Sequence, residues 1–198
     1  MKIKLLILLV LLTAQQAFSQ IGTGSTLIGG SLQYQSIERA DFQEIRILPN
    51  VQYFISDNLS IGGALGFITQ RNNLGEDTYG RTNTFVVSPE ARYYIDLGEN
   101  VKFYGAANIG FGFGGTTGIN GNERIEGDAI SSFNLGIKPG ILFTPGSKIG
   151  FNFELNFISF NRLAVTPPND NTTTVSNGFT FGTNTFAPTF GLYYILGN

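Results

Sequence analysis

The sequence predicts an all-β fold, an eight-stranded antiparallel up-and-down transmembrane β-barrel. Three observations carry that reading. Four prolines, Pro49, Pro89, Pro139 and Pro188, recur 40, 50 and 49 residues apart, each inside a run where every second residue is apolar. Eight alternating runs follow residue 25, and short and long connections alternate between them. The charged residues that a water-facing surface needs are scarce, 13% of the chain against roughly 25% in ordinary soluble domains.

The first element is a leader. Lys2 and Lys4 precede an apolar run from Leu5 to Leu12, and Ala17-Phe18-Ser19 closes the segment. A basic start, a short apolar stretch and a small-x-small ending describe a secretory signal peptide. The run is too short to span a bilayer as a helix. Residues 1–19 therefore read as a cleaved signal peptide and residues 20–198 as a single outer-membrane barrel domain. Removing residues 1–19 of 198 leaves 179, and losing Lys2 and Lys4 takes the net charge from −2 to −4. That balance excludes a nucleic-acid partner, which needs a basic face. The chain has no cysteine, hence no lipidated cysteine at the cleavage point and no disulfide framework.

The strand-like runs cover about 26–36, 43–55, 59–70, 82–96, 101–114, 129–143, 148–160 and 179–196. Around Pro49 the apolar set is Ile47, Val51, Tyr53 and Ile55; around Pro89 it is Val87, Ala91, Tyr93 and Ile95. Ile137, Ile141 and Phe143 flank Pro139, and Phe186, Phe190, Leu192 and Tyr194 flank Pro188. The third, fifth and seventh runs alternate likewise, for example Phe103, Ala107, Ile109, Phe111 and Phe113 against Tyr104, Asn108, Gly110 and Gly112. Period two is a strand with one apolar and one polar face. Ser56-Asp57-Asn58, Leu97-Gly98-Glu99-Asn100 and Thr144-Pro145-Gly146-Ser147 have turn chemistry. Polar connections near 37–42, 71–81, 115–128 and 161–178 are longer. Short periplasmic turns, long external loops and an even strand number are the outer-membrane pattern.

The two faces decide between membrane and water. A soluble barrel buries its bulky face and needs Lys and Glu on the other. Here the non-bulky face is mostly Gly, Ser, Asn and Ala with a few charges of both signs. Small residues suit a narrow lumen and bulky ones suit lipid. Mid-strand prolines conflict with this picture, because proline cannot donate to a ladder and a closed barrel has no edge. Gaps or bulges are expected beside all four.

The leader, the eight alternating runs and the repeat LPNVQYF at 48–54, SPEARYY at 88–94 and KPGILF at 138–143 together resemble the small outer-membrane β-barrels of the OmpA/OmpX-like superfamily, the outer membrane protein β-barrel domain or porin family. The resemblance covers essentially the whole mature chain and implies architecture more than activity. No peptidoglycan-binding domain follows the last strand, so cell-wall anchoring is not implied. The chain ends Tyr194-Ile195-Leu196-Gly197-Asn198 without the terminal aromatic that many such barrels show to the assembly machinery; the Phe190, Leu192, Tyr194 alternation takes that place.

Glu44, Arg46, Glu90, Arg92, Lys102, Lys138 and Glu154 share the lumen-facing phase. They read either as an ion path with acid–base capacity or as a plug of mutual ion pairs. The balance of signs and the fillable interior of an eight-stranded barrel favour the plug. Gly110 to Gly115 formally matches G-x-G-x-x-G, but it sits at a strand end with no following helix, so no dinucleotide site is expected. The chain has no histidine and no cysteine, which removes the usual nucleophile–base pairs and transition-metal sites. Asn120, Asn122, Glu123, Glu126 and Asp128 lack the spacing of a calcium loop and read as solvated. The 161–178 loop is the best candidate for an external contact, and it reads equally well as a mobile, inert cap. Tyr53, Phe54, Tyr93, Tyr94, Phe103, Phe143, Tyr193 and Tyr194 at one rim, and Phe67, Phe85, Phe113, Phe157 and Phe160 at the other, read as interfacial girdles. The expectation is a monomeric, non-enzymatic barrel without cofactor or metal. It has a structural or adhesive role through four outer loops, and its partners are outer-membrane lipid and the export and barrel-assembly machinery. A small passive channel is the alternative. No external ligand is legible.

Overall fold

A computed structural model describes residues 21–37, 41–73, 78–169, 172–182 and 188–197. The leader and Phe186 lie outside the described residues. The strands are β1 (Thr26–Ile37), β2 (Phe42–Ser56), β3 (Leu59–Asn73), β4 (Thr78–Gly98), β5 (Val101–Asn120), β6 (Glu123–Phe143), β7 (Ile149–Glu154), β8 (Ile158–Thr166), β9 (Thr174–Phe181) and β10 (Thr189–Leu196). Every pairing is antiparallel. β1 to β7 and β10 form a closed ring of eight, because β5 pairs with β6 and β10 pairs with both β7 and β1. Closure gives each strand of the ring a paired strand on both sides, the arrangement lipid requires.

Ten segments are described against eight expected. The run expected at 148–160 breaks into β7 and β8, and the run expected at 179–196 holds the end of β9 and all of β10, with residues 183–187 between them outside the described residues. Gly140 of β6 faces Glu154 of β7, and Ile137 faces Ile158 of β8. Two residues of β6, Lys138 and Pro139, thus oppose three, Leu155 to Phe157. The Leu155 N–H donates to Pro139 O at 3.0 Å, and the Phe157 N–H donates to Ile137 O at 3.2 Å. This is a one-residue bulge, and it reverses the facing of everything beyond it. Glu154 and Ser159, five apart, both point inward.

The prolines sit at comparable irregularities. Pro49 faces Gly30 on one side, while pairing with β3 skips Leu48 and Pro49. Pro89 faces Gly63, and pairing with β5 skips Ser88 and Pro89. Pro139 faces Gly105 and has the bulge on its other flank. Pro188 precedes β10, where it removes no interior ladder bond. Proline turns its missing donor toward the interrupted side. At two of these sites glycine lets the intact side approach closely. A Cβ on Gly63 lies 2.6 Å from Ser88 O, and one on Gly30 collides with Leu48 O. Gly30 also has φ +146°, a region L side chains rarely adopt.

The long connections are mostly strand, a correction to the expected loops. β5 and β6 run to Asn120 and from Glu123, so the 115–128 loop shrinks to a turn at Gly121-Asn122. The 161–178 loop shrinks to 167–173, and β3 and β4 extend into 71–81. These hairpins have two wet faces, so no apolar period marks them. Cross-strand bonds hold them instead, such as the Asp128 N–H to Thr116 Oγ1 at 2.6 Å and the Thr78 hydroxyl to Asn120 Oδ1 at 3.2 Å. β4 has 21 residues. At about 3.3 Å per residue and a tilt near 40°, such a strand stands roughly 50 Å tall, about twice a roughly 25 Å apolar band.

The outward face carries the bulky residues. Leu32, Ile47, Phe67, Phe85 and Phe113 form one continuous row across five strands, and all are exposed. The inward face holds the core. One end is apolar: Leu27, Phe54, Tyr94, Tyr104, Leu142 and Ile195 are buried there. Ile21 of the N-terminal segment joins them, and that segment is tied down by the Gly24 N–H donating to Phe54 O at 2.9 Å. The expected girdle at this rim needs correction, because consecutive residues of a strand point to opposite faces. Tyr53, Tyr93, Phe103, Phe143 and Tyr194 face out, whereas Phe54, Tyr94 and Tyr193 fill the interior.

Candidate functional site

The barrel interior has three levels. At the short-turn end, Phe54 and Tyr94 pack at 4.9 Å between ring centroids, and Tyr94 and Tyr104 at 5.3 Å. Above them lies a charged layer. Glu90 and Arg92 come from alternate positions of β4, Lys138 from β6 and Glu154 from the end of β7. The Arg92 Nε–H donates to Glu90 Oε1 at 2.6 Å, and the side chains are 3% and 5% exposed. The Lys138 ammonium lies 3.3 Å from Glu90 Oε2 and 3.2 Å from Glu154 Oε1, and Arg92 Nη2 is 3.8 Å from Glu154 Oε2. Two acids and two bases close a neutral ring of contacts across the lumen. Isolated, each charge there would be costly to desolvate; paired, the cost is offset.

Neutral groups complete the layer. Glu90 accepts from Gln52 at 3.2 Å, and Gln52 in turn accepts from the Ser60 hydroxyl at 3.0 Å. The Tyr104 hydroxyl donates to Glu154 at 3.1 Å and accepts from Asn152 at 2.8 Å. Arg92 donates to the Tyr193 hydroxyl at 3.1 Å, and its guanidinium carbon stands 4.9 Å from the Tyr104 ring centroid. Ring faces attract a desolvated cation. Glycine makes the room: a Cβ on Gly140 would overlap the Tyr104 ring.

Of the seven residues singled out in the sequence, four converge here. Glu44 and Arg46 form their own pair at 2.9 Å nearer the hairpin end, where Gln70 also donates to Glu44 at 2.7 Å. Lys102 lies at the short-turn end and bonds Asp96 at 2.5 Å. Tyr104, Gln52 and Asn152 belong to the layer without a site reading from the sequence, and Tyr193, read there as a girdle residue, belongs to it as well. Their phase on β5, β10, β2 and β7 was the available signal. Hydroxyls and amides near a charge have no spacing rule that marks them.

Above the charged layer the lumen widens into a cavity of ≈ 690 Å³. Gln33, Gln35, Asn108, Asn134 and Asn161 line it, along with the Glu44–Arg46 pair. Asn108 donates to Asn134 at 2.9 Å, and Asn134 donates to Asn161 at 2.7 Å, so the amides form a chain along the wall. Among the described residues no three His, Cys, Asp or Glu side chains gather as a metal site requires.

At the short-turn end Asp57 accepts from the Thr23 N–H at 2.9 Å and from its hydroxyl at 2.8 Å. These bonds favour the carboxylate and hold the Asp57 pKa below its ordinary value, the Thr23 N–H having the largest effect.

No curated protein sequence matches the chain. Among solved structures, the crystal structure of the N-terminal β-barrel domain of Pseudomonas aeruginosa OprF is similar, with a TM-score of 0.42 and 14% identity over 88% of this chain and 99% of that one. The family model described as the outer membrane protein beta-barrel domain matches residues 5–184. With an antiparallel ring of eight strands that turns its bulky side chains outward, the chain belongs to the outer membrane protein β-barrel domain family.

Proposed function

We propose that this outer-membrane protein is a non-catalytic, monomeric barrel with a lumen stoppered by the Glu90–Arg92–Lys138–Glu154 layer, and that its structural or adhesive role is exercised through the protruding hairpins. Its apolar rows face lipid, its short turns face the periplasm, and residues 1–19 are removed on export before the assembly machinery inserts it. One observation supports the stopper above all: four side chains of alternating sign meet across the lumen at 2.6 to 3.8 Å. A buried apolar layer beneath them, Phe54, Tyr94 and Tyr104, adds a second barrier.

A passive channel is the second reading, favoured by the cavity that lies against the charged layer and carries amides and ion pairs on its wall. Purified protein in planar bilayers separates the two. The stopper predicts a silent membrane; steady, long-lived openings from the unmodified chain overturn it.

A further inference from the structure

The cavity above the charged layer has unlike walls. On β2 to β4 it is apolar: Leu48, Ile68 and Val86 line it there, half-buried. The pairings of Arg46 with Ile68, Ile68 with Thr84 and Gly66 with Val86 keep the three together. This wall centres on β3 and β4, the far side of the ring from β10. β5 follows with bare backbone, because Gly110 and Gly112 fall on the inward phase. Beyond it β6 and β8 present amides, with Asn134 paired to Asn161. A wet lumen gains nothing from three inward aliphatic side chains, whereas an apolar occupant would cover them. At ≈ 690 Å³ the cavity falls in the roughly 300–1,000 Å³ range of small-molecule sites.

The polar groups on these walls say what else an occupant carries. Asn50 stands two residues from Leu48 on the same face of β2 and lines the cavity. It is 7% exposed, and its Oδ1 accepts no hydrogen bond from any described residue. Asn108 Oδ1 is likewise unmet, in a residue 6% exposed. A buried acceptor without a donor is costly, and a donor brought by an occupant removes the cost. The charges on the lining, by contrast, are already matched. Glu44 meets Arg46, and Glu90 and Glu154 meet Arg92 and Lys138. An ion entering the cavity would shed water and find no spare counter-charge.

We propose that the cavity is a binding site for a small uncharged amphiphile whose apolar body lies against Leu48, Ile68 and Val86 and whose N–H donors reach Asn50, as in a primary alkyl amide. The glycines of β5 are what make the room. Gly110 and Gly112 leave the space between the apolar and the amide walls free of side chains, so one molecule can touch both. The site stands whether or not the charged layer beneath it conducts.

The test is a methyl NMR titration of the intact protein in phosphatidylcholine nanodiscs with hexanamide. The Leu48, Ile68 and Val86 methyls are expected to shift and saturate, while the outward Ile47 and Leu65 methyls follow only the linear partition of the probe into lipid. N,N-dimethylhexanamide keeps the body and the carbonyl but has no N–H. It is expected to need about tenfold more probe for the same shift, the worth of one hydrogen bond. Hexanoate and hexylammonium are expected to need at least about tenfold more, because each must shed water without gaining a partner charge. Gly110→Leu is expected to abolish the saturable shift. The nearest atoms that a Cβ there meets belong to side chains, the closest at 3.3 Å, so the leucine fits the wall and fills the space. Inward methyls that stay still or merely track the outward ones overturn the site, and so does saturation that persists in Gly110→Leu. Equal binding of the dimethyl amide overturns the role of Asn50, and equal binding of either ion overturns the uncharged class. The four probes decide on the unmodified chain, so the result does not hang on the folding of the variant.

Discussion

Glu90→Gln probes the charged layer most directly. The substitution keeps side-chain volume and removes one of two anions that hold two buried cations. In the native layer Glu90 Oε1 accepts from Arg92 at 2.6 Å and Oε2 meets Lys138 at 3.3 Å. Two unit charges about 3 Å apart attract by roughly 5 kcal/mol at an effective dielectric of about 20, so two pairs gross on the order of 10 kcal/mol. Desolvating the carboxylate itself consumes part of that, and breaking a buried pair nets about 3–5 kcal/mol. Lys138 retains Glu154 at 3.2 Å, and Arg92 retains the Tyr193 hydroxyl at 3.1 Å. The loss therefore falls near the lower limit, about 3 kcal/mol, or a little over a hundredfold in the folding equilibrium. Urea-dependent folding into lipid vesicles, followed by circular dichroism, measures it. The Glu90→Gln/Lys138→Met double variant restores neutrality and is expected to recover at least half of the loss. A cost below about 1 kcal/mol, the scale of an exposed pair, refutes a dry layer and means that water screens these charges.

Three further outcomes are expected. Gly63→Ala forces a Cβ to within 2.6 Å of Ser88 O, whereas Gly105→Ala, also opposite a proline, has nothing within 4 Å; the first should cost about 1–3 kcal/mol and the second under about 0.5 in the same urea titration. Leu65→Arg, on the outward face within the apolar band, should destabilise by about 2–4 kcal/mol, while Ile125→Arg on the protruding β5–β6 hairpin should cost about 0–1, and equal costs would defeat the lipid placement. Asp57 has a lowered pKa when folded, so the tie to Thr23 is at full strength above the unfolded value and is lost as pH falls through the folded one. Protection of the Thr23 and Gly24 amides against hydrogen exchange, taken relative to the intrinsic rate at each pH, should fall in acid below that range, and Asp57→Ala should show the same reduced protection at neutral pH.

Much of the architecture was legible because a barrel wall in lipid obeys the simplest sequence rule, period two. Ile47, Val51, Tyr53 and Ile55 needed no tertiary information to be placed on one face, and the turns at Asp57-Asn58 and Glu99-Asn100 lie where their chemistry put them. The hairpin extensions were not legible. Thr116 to Asn120 and Glu123 to Asp128 have water on both faces, so no alternation separates them from loop. The break between β7 and β8 was hidden for another reason. Leu155, Asn156 and Phe157 continue the alternation on paper, and only the register against Lys138 and Pro139 shows three residues facing two. Glu90, Arg92, Lys138 and Glu154 could be assigned a face from sequence, but not a height.

By itself, then, the sequence determined the strands, their inward and outward faces, and the apolar belt, because facing depends only on local backbone geometry. Tertiary structure alone decided which charges meet and where proline is tolerated. Those depend on register between strands far apart in the chain, as when Gly30 meets Pro49, Arg92 meets Tyr193, and β10 rather than β9 closes on β1. Register is set by the summed pairing of whole strands and by single bulges, which no window of sequence contains.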